Sequence, residues 1–185
     1  MKEICIQYHK TKIGELILGS FADKLCLLDF NHRKMRKAVD HRIKKGLNAD
    51  FIEKDSNIIQ KTRIELDEYI QGNIREFDVP IQMVGSDFQK SVWTTLLKVP
   101  YGTTSTYLQL AKVINNKKAV RAVAGANGAN AIAIIIPCHR IIGSNGELVG
   151  YAGGLTIKKR LLTLEQKKDY YTQIQLPIKT ERVII

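Results

Sequence analysis

With 185 residues, 44% of them hydrophobic and 25% charged, the chain has ordinary globular proportions, enough for one large domain or two small ones sharing an interface. No run of about 18 apolar residues is present, which excludes a membrane-spanning helix, and three cysteines, Cys5, Cys26 and Cys138, exclude a fully paired disulfide framework. A net charge of +11 favours polyanionic partners: nucleic acid is the commonest, while an anionic membrane or plain solubility would also account for it. The start, Met1-Lys2-Glu3-Ile4-Cys5, lacks the apolar stretch of a secretory signal, and reduced thiols fit a cytoplasmic location.

The first thirty residues predict short strands. Ile4 to Tyr8 is one, and Glu15 to Gly19 and Leu25 to Phe30 flank a Ser-Phe-Ala-Asp turn, as in a hairpin. His32 to Lys45 is basic and predicted helical. Its clusters Arg33-Lys34-Met35-Arg36-Lys37 and Arg42-Ile43-Lys44-Lys45 read as solvated helix faces; Lys117-Lys118 and Lys158-Lys159-Arg160 add further charge. Ser56 can cap a helix through Ile59, Ile64, Leu66 and Ile70, stopped by Gly72. Phe77 to Met83 looks extended, with Pro80 keeping it at an edge.

The texture then changes, which puts a boundary near Met83 to Ser86. Ser86 with Gln89 forms the capping box of a helix whose apolar face carries Phe88, Val92, Leu96 and Leu97. Pro100-Tyr101-Gly102 turns the chain, and Ser105 or Thr106 opens a short helix that Asn115-Asn116 breaks. A second helix, about Lys118 to Ala126, follows it closely, giving the outline of a helix-turn-helix. The β-branched run Ile132 to Ile136 predicts a buried strand or extended segment leading into Pro137-Cys138-His139-Arg140. A glycine-rich stretch, Gly143 to Gly154, precedes a final helix from Thr156 to Lys167. Residues 1–84 are expected to form an α/β domain and 85–168 a second, helical one, with a weakly patterned, partly disordered tail at 169–185.

Cys138 is the residue to which chemistry attaches. A thiol reacts as thiolate and needs a base or a positive field. His139 is adjacent, but neighbouring side chains usually point apart, so contact depends on a turn that Pro137 favours. From these two residues alone, a small inert core cysteine is the commoner reading.

The surroundings reverse it. Ile134-Ile135-Ile136-Pro137-Cys138-His139-Arg140-Ile141-Ile142-Gly143 resembles the active-site signature of the O6-alkylguanine-DNA alkyltransferases. The resemblance runs from about Gly85 to Glu165. It takes in Asp87-Phe88-Gln89, Val92-Trp93, Val99-Pro100-Tyr101-Gly102, Thr106-Tyr107, Leu110-Ala111, Arg121-Ala122-Val123, Asn130, Gly150-Tyr151, Gly153-Gly154-Leu155, Leu161-Leu162 and Glu165. It implies an α+β fold: a ribonuclease-H-like N-terminal domain on a three-stranded antiparallel sheet, and a C-terminal winged-helix domain.

The resemblance also implies roles. Cys138 would accept the alkyl group, His139 would deprotonate it through a water, and Glu165 would orient that histidine. Asn130 would tie the helix-turn-helix to the active-site turn, and Tyr107 would donate to the departing guanine. Arg121 would fill the space left by the extruded base, on a small-residue helix contacting DNA through Ala119, Ala122, Ala126 and Asn127. Ile141, Tyr151, Ala152, Ala133 and Trp93 would form the base pocket.

The chain departs from the pattern in having Ala131 where many members carry proline and Ala133 where some carry another, which predicts a looser segment and, with the small Ala133 and Ala152, a wider pocket. Cys5 and Cys26 lack a histidine partner near Val79 and Pro80, so no metal is expected. Neither is a cofactor, since the protein itself is the acceptor. The implied partner is double-stranded DNA carrying O6-alkylguanine, met by a nucleoid-associated monomer that binds no membrane. Two rivals remain: an alkyltransferase-like protein that binds the lesion without reacting, argued against by Cys138, and a cysteine hydrolase, which leaves the helix-turn-helix unexplained.

Overall fold

The computed structural model describes residues 2–174. The chain opens with β1 (Lys2–Thr11), β2 (Gly14–Phe21) and β3 (Lys24–Phe30), an antiparallel meander. Ala22 and Asp23 both take positive φ, 46° and 56°, as a two-residue turn of matching twist requires. β2 and β3 are buried almost throughout. They read as near-continuous apolar runs because both faces of the sheet are covered. Leu16, Leu18, Leu28 and Phe30 face the large core shared with the C-terminal half. Ile17, Cys26 and Leu27 face Val39, Ile43 and Leu47 of α1 (Arg36–Leu47).

The expected three-stranded antiparallel sheet needs correcting. A fourth strand, β4 (Ala49–Glu53), lies parallel to β1, giving the order β3-β2-β1-β4 with α1 as the crossover. Five residues with charges among them carry too little alternation to announce a strand; it follows Asn48, which ends α1 in the left-handed region. Next comes α2 (Asn57–Gln71), capped by Ser56 and closed by Gly72 at φ 76°. The following segment is extended at a sheet edge, as expected. Pro80 offers its carbonyl to the Leu25 N–H at 2.8 Å, and Gln82 N–H returns to the Leu25 carbonyl at 2.8 Å.

In the C-terminal half, α3 (Asp87–Leu96) starts at the Ser86–Gln89 capping box, and α4 (Tyr107–Val113) at a second one, Thr106–Gln109. A short 3-10 turn, Lys117–Ala119, leads into α5 (Val120–Gly128), and α6 spans Leu155–Ile174. Two small strands, β5 (Ser105–Thr106) and β6 (Ile141–Ile142), pair in parallel beside them. Because α6 continues to Ile174, the expected tail is helical over its first residues; 175–185 lie outside the described residues, and so does what was expected of them. Among the described residues no helix is long and apolar enough to cross a membrane.

Trp93, buried on α3, fixes the position of α5. Its Nε1–H donates to the Ala126 carbonyl at 2.8 Å. Trp93→Phe removes this bond and leaves the Ala126 carbonyl with the 3.1 Å bond from Ala129 N–H alone, and the expected cost is about 1 kcal/mol. It should read as a lower urea midpoint with an unchanged slope.

Candidate active site

The segment after α5 reaches back to the sheet. Ala131 accepts from Leu28 N–H at 2.8 Å and Ala133 N–H donates to Leu28 at 2.6 Å, so Ile132 lies beside β3. The chain then reverses sharply. Ile135 N–H bonds the Ala133 carbonyl at 2.9 Å around Ile134, whose φ is 73°. A β-branched residue is rare there and costs on the order of 1–3 kcal/mol; burial of the Ile134 side chain offsets it. A second tight turn follows at Pro137, where Cys138 N–H meets the Ile136 carbonyl at 2.8 Å. The 3-10 turn Cys138–Arg140 then sends neighbouring side chains to opposite sides.

Asn130 organises this turn. Its Oδ1 accepts from Ile132 N–H at 2.9 Å, and its Nδ2 donates to the Ile136 carbonyl at 2.9 Å and to Cys138 Sγ at 3.2 Å. Burial pushes the Cys138 thiol up from its ordinary range; the Asn130 donor works the other way, as do the cations of Arg33 and Lys158. Cys26 is the contrast: burial lifts it to about 12.

His139 turns inward. Its Nε2 lies 2.8 Å from Glu165 Oε1, and both side chains are wholly buried. Arg140 donates its Nε to both Glu165 oxygens, at 3.2 and 3.0 Å; Gly102 N–H and the Tyr69 hydroxyl donate to the same carboxylate. Burial alone would raise Glu165, yet the bonds from His139 and Arg140 prevail and hold it down at about 2. Burial also keeps His139 below its usual value, hence neutral. An ionised carboxylate only accepts, so Nε2 carries the hydrogen and Nδ1 the lone pair. Nδ1 is buried with no hydrogen-bond partner among the described residues.

A cavity of about 550 Å³ opens onto the thiol. Of the predicted residues, Tyr107, Asn127, Asn130, Cys138, Tyr151 and Ala152 line it. Ile141, Trp93 and Ala133 are buried off its wall, so the extra width expected from Ala133 does not arise at that position. His139 and Glu165 sit behind the wall. On α5, Arg121 and Ala122 are exposed beside Gly125 and Gly128; Ala119, in the 3-10 turn before it, is half-buried. Ala126 and Asn127, expected on the DNA-facing side, are buried instead: one receives Trp93 and the other faces the cavity. Gly153 forms a thin part of the wall, where a Cβ would stand 2.8 Å from the Phe30 ring.

Four residues of the site were missed in the sequence. Arg140 stands inside the quoted motif but had no assigned role. Tyr69 lies in the other half of the chain. Arg33, expected on a solvated face, is buried against Asp29 at 2.6 Å. Lys158 is buried too, donating to the carbonyls of Ile141, Val149 and Gly150, and burial lowers it to about 8. Its signal was available: with Leu161, Leu162 and Glu165 it occupies one helical face at i, i+3, i+4 and i+7.

This is an α+β protein whose C-terminal half is a DNA-binding domain: residues 87–167 match the family model described as 6-O-methylguanine DNA methyltransferase, DNA binding domain. The methylated-DNA–protein-cysteine methyltransferase of Methanosarcina barkeri is 43% identical over 157 residues, 85% of this chain and 94% of its own. The inducible enzyme of that name from Bacillus subtilis is 40% identical over 124 residues, 67% of this chain and 69% of its own. The Mycobacterium tuberculosis OGT crystallised in complex with DNA superposes with a TM-score of 0.75 at 35% identity, covering 90% of this chain and 94% of that one. The chain therefore belongs to the methylated-DNA–protein-cysteine methyltransferase family.

The buried ionic cluster dictates the response to acid. His139 is held below its ordinary 6.5, so the unfolded chain takes up that proton first and stability falls as pH drops through 6.5. Glu165 contributes fully above 4.5, and its share is lost as pH falls toward about 2. Urea midpoints taken across this range should decline steadily. Glu165→Gln should flatten the lower limb and cost about 3–5 kcal/mol at neutral pH, because Arg140 loses its buried partner.

Proposed function

We propose that this protein repairs DNA by moving an alkyl group from O6 of guanine to Sγ of Cys138, once per molecule. The observation that carries this reading is a nucleophile-bearing cavity, Cys138 on its wall, opening beside an exposed helix of small residues, with a neutral His139 and an ionised Glu165 directly behind. Residues 1–84 act as a ribonuclease-H-like domain. Residues 85–168 act as a winged-helix domain in which α4 and α5 form the helix-turn-helix, and the protein works as a monomer in the cytoplasm, at the nucleoid.

The chemistry follows from the geometry. The thiol proton leaves through a water to His139 Nδ1, whose lone pair is free because Nε2–H is committed to Glu165. The developing imidazolium is then stabilised by the carboxylate. Asn130 Nδ2–H steadies the thiolate. Sulfur attacks the alkyl carbon, the carbon–oxygen bond breaks, and the electron pair leaves with the guanine, protonated by Tyr107. The alkyl thioether does not hydrolyse, so the site is spent and no cofactor takes part.

Recognition would use α5. Its exposed face, Arg121, Ala122, Gly125 and Gly128, has nothing within 4 Å of the two glycine Cβ positions and can approach a groove closely. The cavity would take the flipped base against Tyr151 and the backbone at Ala152.

Intact-protein mass after incubation with duplex DNA carrying O6-methylguanine tests the reaction. One stable added methyl per chain, located on Cys138, is the expected result. No adduct would indicate a lesion binder, and turnover without an adduct a hydrolase. Cys138→Ser should lose transfer altogether and retain lesion binding, since groove and pocket contacts do not need the sulfur.

Arg121→Ala should slow reaction with duplex DNA about tenfold or more while leaving the rate with free O6-benzylguanine near that of the parent, because only the duplex requires base extrusion. Single-turnover rates on the two substrates make the comparison; equal losses would assign Arg121 a structural role.

A further inference from the structure

The last carbonyls of a helix have no partner within it and take donors from elsewhere. At the end of α5 three successive carbonyls are held by arginines of the N-terminal half. Arg33 donates to Gly128 and, at 2.7 Å, to Asn130; Arg42 donates to Ala129 at 2.6 Å, its guanidinium lying 5.4 Å from the Trp93 ring centroid. Asp29 fixes Arg33 in turn, at 2.6 Å, and is itself fully buried. The residue whose carbonyl Arg33 grips, Asn130, is the one whose side chain donates to Cys138 Sγ. Arg33 also forms part of the same cavity wall as the thiol.

We propose that Arg33 is a positioning residue for Cys138: through Asn130 it sets the place of the sulfur, and its cation offsets the Asp29 carboxylate beside the thiol, so that the N-terminal half governs the reactivity of a cysteine in the other half. The consequence for alkyl transfer rests on the function proposed above; the effect on the thiol does not. A role limited to holding α5 in place is separable, because Trp93 and Arg42 each bond that helix independently. The charged and titratable groups around Cys138 are Asp29 on β3, Arg33 just after it, Tyr107 on α4, the neighbouring neutral His139, Tyr151 on the loop before α6, and Lys158 on α6. Arg33 is the one among them that is also bonded to Asn130. A lysine would keep the charge but cannot reproduce a planar fork that meets a carboxylate and two carbonyls at once.

The test uses the full chain as wild type, Arg33→Gln and Arg33→Lys. Iodoacetamide labelling of Cys138 against pH, read on its own peptide by mass, reports the thiolate whatever the natural substrate. The rate with free O6-benzylguanine reports alignment without DNA binding. Arg33→Gln should move the labelling midpoint about one pH unit higher and slow O6-benzylguanine about tenfold. Arg33→Lys should restore the midpoint and leave the rate low. An unmoved midpoint in Arg33→Gln overturns the proposal, as does a wild-type O6-benzylguanine rate in Arg33→Lys; the latter also decides the matter if Arg33→Gln does not fold. A wild-type protein that ignores O6-benzylguanine yet shows the labelling shift upon substitution would overturn the reaction and keep the positioning.

Discussion

An ionised carboxylate with almost no water around it needs a full set of donors, and that requirement shapes the centre of this molecule. Glu165 projects from α6. Its two oxygens are met by His139 and Arg140 from the 3-10 turn, by Tyr69 from α2 and by the backbone of Gly102. Four segments far apart in sequence are thus brought to one point, because any of them missing would leave charge exposed to a low-dielectric interior. The same constraint decides the histidine tautomer: Nε2 carries the hydrogen and Nδ1 keeps the lone pair. Fold and protonation state here share one electrostatic cause.

Much of this was legible in the sequence. The Ser86–Gln89 capping box, the Ser56 cap and the Gly72 stop are local signals, and local signals survive folding. The motif around Cys138 carried the site. What escaped depends on long-range partners. β4 is too short for its pattern to stand out. Lys158 was hidden in a run of three basic residues, where Lys159 and Arg160 are exposed and only helical phase distinguishes it. Arg33 was hidden the same way, its cluster holding exposed lysines at 34 and 37. Ile134 at positive φ runs against every local preference of a β-branched residue; only a surrounding structure that enforces it could reveal it.

α5 has two unlike faces. One is thin and open, with Ala122, Gly125 and Gly128 toward solvent; the other packs Val123 and Ala126 into the core. A helix so poor in side-chain bulk has little packing of its own to hold it. Its position is set instead by polar anchors at its C-terminal end, the Trp93 indole and the two arginines. The helix dipole places negative charge at that end, which suits the arginines' cations.

The outer edge of β3 is also shared. Leu25 exchanges hydrogen bonds with the segment at Pro80 to Gln82, and Leu28 with Ala131 and Ala133. The sheet is therefore closed on that side by the chain that leads to the cysteine. Cutting the protein between its halves would strip a hydrophobic strand of its cover and present unpaired backbone to other molecules, the usual seed of edge-to-edge aggregation. It would equally leave the Ile132 segment with no ladder to lie against. The two halves, whatever their separate histories, are bound to travel as one piece.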